Sequence, residues 1–246
     1  MPPREPDFPL EPASLLPWDA LPGLFPAFPL PERWLPLLRL HLSLVEAAEE
    51  RVRVTAVSPG DAIRRQYAES LELLRVAGAF DGPICDVGSG GGYPGLVIAA
   101  VLPEVPVRLV EPLQKRARLL AEMAAAMGLK NVTVHAVRAE EAGRGPLRGA
   151  NALVVARAVA ELRELIEYTA PLAAPGATIA LPKGSRVDDE IAAADHAFHE
   201  LGCTVAGRDR MRPEVNEAVT VVRLAKCGEV PAKYPRRPGI PGKRPL

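Results

Sequence analysis

The sequence predicts an α/β protein: a doubly wound, mostly parallel seven-stranded sheet of Rossmann-like type, preceded by an N-terminal helical extension. Three observations predict it. Ile84-Cys85-Asp86-Val87 is a short apolar run stopped by Gly88, Gly90, Gly91, Gly92 and Gly95. After the apolar stretch Leu96 to Leu102, a second run, Val107 to Val110, closes on Glu111. That order is strand, glycine turn, helix, strand, which is one βαβ unit. Beyond it, strand-like and helix-like segments keep alternating, the pattern of a parallel sheet covered on both faces.

Met1 to Pro36 is crowded with proline and carries Trp18, Phe25, Phe28 and Trp34. Repeated proline argues against a long helix, so short helical turns packed on the domain are expected. Leu35 to Val54 and Asp61 to Ala79 have helical spacing of apolar residues. Arg64 and Arg65 lie off the second stripe and are expected on a solvated face. After Glu111, Leu113 to Met127 is predicted as a helix stopped by Gly128, and Val132 to Val137 as the third strand. Ala150 to Ala156 is the fourth strand, Leu162 to Ala173 a helix, and Ala177 to Leu181 the fifth strand. A helix over Asp188 to Leu201 precedes two final strands, Cys203 to Gly207 and Ala218 to Leu224. The expected organisation is an extension over 1–60, a Rossmann-like domain over 61–228 and a basic tail over 229–246.

The 246 residues suffice to bury a full core. Formal net charge is zero, so any nucleic-acid contact must come from local patches. Cys85, Cys203 and Cys227 have no metal-ligand spacing, and no apolar run is long enough to span a bilayer. No secretory signal is visible, so a reducing cytoplasm is the expected compartment. Nothing in the sequence demands a dimer, and a monomer is expected.

The glycine turn admits two ligands. Gly90-Gly91-Gly92-Tyr93-Pro94-Gly95 satisfies G-x-G-x-x-G, a weak dinucleotide signal by itself. Asp86-Val87-Gly88-Ser89-Gly90-Gly91-Gly92 leads into its glycines through an acid. A pyrophosphate is repelled by that acid, whereas S-adenosylmethionine carries an ammonium and a sulfonium and no phosphate. Asp86 therefore favours the cationic ligand, and Glu111 is placed to accept ribose hydroxyls. Ligands of such sheets lie beyond the carboxyl ends of the strands. The polar residues at those ends are Asp86, Glu111, Arg138 to Glu141, Arg157 and Lys183. Glu140 is expected to reach an adenine amino group, and Arg157 and Lys183 to face nucleic acid.

At this point several ordered motifs resemble one family, the bacterial ribosomal RNA small-subunit methyltransferase G family. They are Val54 to Val57, Arg65 to Leu71, D-V-G-S-G-G-G-Y-P-G from Asp86 and E-P-L-Q-K-R from Glu111. Arg138-Ala139-Glu140-Glu141, Ala156-Arg157-Ala158, Pro182-Lys183-Gly184 and the tail from Lys233 to Leu246 complete the resemblance. It runs from about Leu35 to Leu246. It implies a class I methyltransferase fold and N7 methylation of one guanine of 16S ribosomal RNA, free or in a small-subunit particle. It also implies that S-adenosylmethionine is held by Asp86, Gly88, Ser89, Gly90, Gly92, Pro94, Glu111, Ala139, Glu140 and Arg157. Arg157 and Lys183 are the expected catalytic pair. Two departures stand out: Gln66 replaces the family's usual His, and Arg51-Val52-Arg53-Val54-Thr55 replaces an Asn-Leu-Thr context.

The chemistry agrees with that acceptor. The segment after the fourth strand holds neither the cysteine that pyrimidine C5 attack requires nor an N-P-P-Y-like holder of an exocyclic amine. Guanine N7 already has a free lone pair, so positioning suffices and no base is required. Arg138, Lys183 and the tail cations Lys233, Arg236, Arg237, Lys243 and Arg244 are the expected RNA contacts, the tail as an extended arm along phosphates. A nicotinamide-dependent oxidoreductase and a non-catalytic RNA-binding module are the competing readings.

Overall fold

The computed structural model describes residues 16–49, 51–157 and 159–246. The proline-rich start up to residue 15 and Ala158 of the Ala156-Arg157-Ala158 motif lie outside the described residues. One sheet carries all seven strands in the order β3-β2-β1-β4-β5-β7-β6. These are β1 (Ile84–Val87), β2 (Val107–Val110), β3 (Val132–His135), β4 (Asn151–Ala156), β5 (Ala173–Lys183), β6 (Cys203–Arg210) and β7 (Thr220–Lys226). The first five pair in parallel, with Asp86 beside Leu109 on one side and Val155 on the other. β7 inserts antiparallel between β5 and β6. This is the expected Rossmann-like methyltransferase architecture, and its order reverses at β1/β4, where a crevice opens beyond the strand ends.

Because successive side chains on a strand point to opposite faces, the sheet divides two apolar layers. Leu153 and Val155 of β4 join one cluster, and Val154 and Ala156 join the other. The first layer includes α3 (Glu69–Ala77), α4 (Gly95–Val101) and α5 (Gln114–Ala126). The second holds α7 (Leu162–Thr169) and the pair α8 (Val187–Ala193) and α9 (Asp195–Glu200). A single helix over Asp188 to Leu201 is thus corrected to two, meeting at Ala194.

The N-terminal segment forms α1 (Leu21–Leu24) and a long α2 (Pro31–Glu49). The expectation of short turns up to Pro36 is corrected here. Pro31 opens the helix, where its missing N–H is harmless, and Pro36 sits inside it on an exposed face, where water can serve the freed carbonyl. Trp34, Leu38, His41, Val45 and Ala48 are buried at helical spacing and pack on the first layer. Asp61 to Ala79 also differs from a uniform helix: Ile63–Ala68 is π-helical and runs into α3. That wider turn buries Gln66, Tyr67 and Ala68 in succession.

The tail is not an extended arm. It folds onto α7 and α6 (Ala139–Ala142) and ends in α10 (Ile240–Lys243). Tyr234 is buried and its hydroxyl donates to Glu200 (3.0 Å). Arg148 donates to the carbonyls of Tyr234 and Val230 (2.7 and 2.8 Å), and Arg144 to that of Pro235 (2.9 Å). Arg236 forms a forked pair with the buried Glu167, its Nη2 2.6 Å from Oε2. Proline and a buried tyrosine gave this segment enough apolar surface to dock, despite its charge.

Candidate active site

The glycine turn joins β1 to α4, directly beneath the crevice. Gly88 and Ser89 donate their N–H groups to the Val110 carbonyl (2.8 and 3.3 Å), which ties the turn to β2. Gly92 has φ +93°, and a Cβ there would lie 2.6 Å from Leu96 Cδ1 and 3.0 Å from His41 Nε2, so only glycine fits. Pro94 is buried and caps the start of α4. Ser89 Oγ donates to the Asp86 carbonyl at 3.1 Å.

Asp86 is fully buried under the turn rather than displayed on it. Its Oδ2 accepts the Gly95 N–H (3.0 Å) at the head of α4, and its Oδ1 has no hydrogen-bond partner among the described residues. Burial pushes its carboxyl up to about 7, against the pull of Ser89, Gly95 and Arg157. Glu111 bridges the turn: Oε2 accepts the Gly90 N–H (3.0 Å) and Oε1 the Leu113 N–H (2.9 Å). Each oxygen keeps a further lone pair for a hydroxyl.

Two cavities meet at Gly88. One, of about 200 Å³, is lined by Val87, Val110, Pro112, Arg138, Ala139 and Glu140, with Val159, Glu164 and Tyr168 opposite. Glu140 is buried there, and its Oε1 accepts the Gly239 N–H of the tail (2.8 Å), a contact that sequence reading did not foresee. Tyr168 donates to Glu164 (2.6 Å), and burial raises its phenol. The other cavity, of about 380 Å³, is walled by Val54 to Val57, Ser89 to Gly91, Gln66, Glu69 and Arg157.

Arg157, at the tip of β4, lies across this larger cavity. Its guanidinium sits 5.5 Å from the centre of the Tyr93 ring, donates to the Arg65 carbonyl (2.6 Å) and to Gln66 Oε1, and lies 3.6 Å from Glu69. Gln66 in turn donates to Thr55 Oγ1 (2.5 Å), so this one side chain anchors both Arg157 and the cavity wall. Tyr93 Oη is 3.0 Å from Tyr67 Oη, which is 3.2 Å from His41 Nδ1. His41 Nε2 faces the Gly91 carbonyl at 2.9 Å. Burial lowers His41 to about 4 and raises Tyr93 to about 12, so the chain is neutral.

Lys183 is placed differently from expectation. Its ammonium is buried against Glu190 (2.9 Å) and the Ala160 carbonyl (2.7 Å), and it lines neither cavity. It secures the loop after β4, and in this structure its charge is held by Glu190 rather than turned toward either cavity. Of the RNA-contact candidates, Arg138 is exposed at the smaller cavity, and Arg237, Lys243 and Arg244 are exposed on the tail. Lys233 is paired with Glu200 (3.2 Å) and Arg236 with Glu167. His41, Tyr67, Tyr93, Gln66 and Glu69 were missed by sequence reading. Only the unusual Gln66 gave a signal, because the others resemble ordinary core or helix-face residues.

The residues fit S-adenosylmethionine. The paired cavities suit an elongated ligand with a purine end and an amino-acid end, Glu111 lies beside their junction, and the Asp86 oxygen without a partner among the described residues lies under the turn. A Cβ at Gly88 would project to 2.7 Å from Val159, into that junction.

Comparison with known proteins points the same way. The chain is 39% identical over 198 residues to the ribosomal RNA small subunit methyltransferase G of Roseiflexus castenholzii, covering 80% of this chain and 85% of that one. It is 39% identical over 216 residues to the protein of that name from Symbiobacterium thermophilum, covering 84% and 88%. Among solved structures, a SAM-dependent methyltransferase from Aquifex aeolicus has the same fold, with TM-score 0.54 and 16% identity over 75% of this chain and 98% of that one. NSun6 from Pyrococcus horikoshii matches with TM-score 0.55 and 14% identity, over 71% and 57%. Residues 36–208 match the family described as rRNA small subunit methyltransferase G; with this fold and these relatives, the chain belongs to that family and is a methyltransferase.

Proposed function

We propose that this enzyme transfers the methyl group of S-adenosylmethionine to N7 of one guanine of small-subunit (16S) ribosomal RNA. The observation that carries the reading is the junction at Gly88: two cavities meeting where the Glu111 carboxylate bridges the turn. S-adenosylmethionine supplies an electrophilic methyl on a sulfonium. The adenine side belongs to Ala139 and Glu140, the ribose to Glu111, and the amino-acid side to the turn from Gly88 through Gly92. A bound cation favours the ionised form of buried Asp86, and in a medium where charge is poorly screened that carboxylate in turn holds the cationic ligand.

Guanine N7 carries no proton, so the acceptor requires alignment more than acid–base help. Arg157 is the cation beside the larger cavity, and its donors can turn from the Arg65 carbonyl and Gln66 to guanine O6 or a phosphate, leaving the N7 lone pair free to take the methyl group. No titratable group with a proton to exchange is required in this step. Arg138 and the exposed tail residues Arg237, Lys243 and Arg244 are placed on phosphates. We place the enzyme in the cytoplasm as a monomer, with residues 61–228 as the methyltransferase domain. Among the described residues no helix is long and apolar enough to cross a membrane.

The test is transfer of labelled methyl from S-adenosylmethionine to small-subunit RNA from cells lacking the gene, with the modified base mapped chemically. One N7-methylguanine is expected. Methyl at another atom, or none, overturns the reading.

A further inference from the structure

We propose that the RNA is received on a lip of arginines, Arg53, Arg65 and Arg116, that borders the larger cavity, with Arg51 two residues before Arg53 on the same segment; this rests on the RNA substrate proposed above. Arg65 and Arg116 line the cavity of about 380 Å³. Arg53 immediately precedes the wall formed by Val54 to Val57, and Arg116 Nη2 donates to its carbonyl at 2.8 Å. Arg51, Arg53 and Arg65 are exposed. None of the four has an ion-pair partner among the described residues.

The described acids nearby do not cancel them. Glu49 directs one oxygen at the N–H groups of Val54 and Thr55 (2.7 and 2.8 Å), which shapes the wall. Glu69 is buried and accepts from Asn216 (2.7 Å) beside Arg157. Glu46 borders an adjoining apolar cavity, on its side with Leu42 and Val45. The tail offers a contrast: Lys233 and Arg236 are already held by Glu200 and Glu167, so meeting a phosphate would first break an ion pair. The tail also packs on the Glu140 side of the crevice, away from the methyl end. Among the described residues Arg51, Arg53 and Arg65 have no ion pair to break, and Arg116 would give up only its bond to the Arg53 carbonyl.

The target chemistry favours this lip as well. In A-form helix the N7 edge lies in a deep, narrow groove that side chains do not enter, so the guanine must be presented from a loop or opened strand. Such a strand needs its flanking phosphates held around the cavity mouth, which four forked, permanently charged side chains provide.

The experiment compares the full chain with Arg51→Glu/Arg53→Glu and with Arg65→Glu, using a fluorescent small-subunit RNA fragment across a salt series. Calorimetry with S-adenosylhomocysteine checks the cofactor site. The expected result is RNA affinity weakened about tenfold or more, a salt slope smaller by about one per arginine removed, and, in the Arg51→Glu/Arg53→Glu variant, unchanged S-adenosylhomocysteine affinity. Wild-type RNA affinity and slope in both variants, with normal cofactor binding, overturn the lip while the methyltransferase reading stands. A wild-type protein that neither binds nor methylates the RNA removes both.

Discussion

His41 Nε2 faces the carbonyl oxygen of Gly91 at 2.9 Å, across 50 residues of chain. A carbonyl only accepts, so Nε2 carries the proton and Nδ1 is free to accept from Tyr67, which can accept from Tyr93. The N-terminal helix α2 thereby holds the cofactor turn by its backbone. Truncating this chain should loosen the turn. Tyr67→Phe keeps the packing and removes one link; we expect a loss of about 1–2 kcal/mol in unfolding free energy and a raised KM for S-adenosylmethionine. Unchanged values of both would show that the link is idle.

His41 and Asp86 give stability opposite pH slopes. His41, lowered from 6.5 to about 4, contributes stability present above pH 6.5 and lost as pH falls toward 4. Asp86, raised from 3.8 to about 7, binds more protons folded than unfolded between those values, so its contribution declines as pH rises through that window. Between pH 5 and 6.5 the two oppose each other. Relative to wild type, Asp86→Asn should gain stability with rising pH and His41→Gln should lose it, each by up to about 1.4 kcal/mol per pH unit. Denaturant titrations at three pH values check the signs, and parallel curves for all three proteins refute the coupling.

Glu111→Ala should weaken S-adenosylhomocysteine binding by about tenfold or more, the loss of charge-assisted bonds to a ribose. Gly88→Asp should weaken it further, because the new side chain enters the junction of the two cavities and meets Val159. Calorimetry decides, and wild-type affinity in either variant would falsify the cofactor assignment.

Arg157 and Lys183 should separate cleanly. Arg157→Ala is expected to lower methyl transfer by about a hundredfold, as loss of a positioning contact does, with little change in cofactor affinity. Lys183→Ala removes the partner of Glu190 and the donor to Ala160, so it should destabilise the fold by on the order of 2 kcal/mol and leave turnover of the folded enzyme largely intact. A turnover loss for Lys183→Ala equal to that of Arg157→Ala would restore it to the reaction.

Two tail substitutions should differ in kind. Arg236→Ala leaves Glu167 buried without its cation and should cost about 3 kcal/mol of stability. Arg237→Ala with Lys243→Ala and Arg244→Ala should leave the melting temperature within a degree or two, since those side chains are exposed. Similar melting shifts in both would mean that the tail is not docked through Glu167.

The sheet, the glycine turn and the acid at the end of the second strand were all legible along the chain. Those follow from local chemistry: apolar runs of strand length, glycines where the chain turns sharply, and an acid at the second strand's end, all within Ile84 to Glu111. Tertiary structure alone decided what the neighbouring charges do. Asp86 went beneath the turn, Lys183 to Glu190, and Arg236 to Glu167, because a charge leaving water takes whichever opposite charge or donor the fold brings within reach. The fold also decided that α2 reaches the turn through His41. Its helical stripe reads Trp34, Leu38, His41, Val45, and only the presence of Gly91 and Tyr67 across the interface makes a buried histidine tolerable there. Partners so distant along the chain leave no spacing for sequence reading to detect.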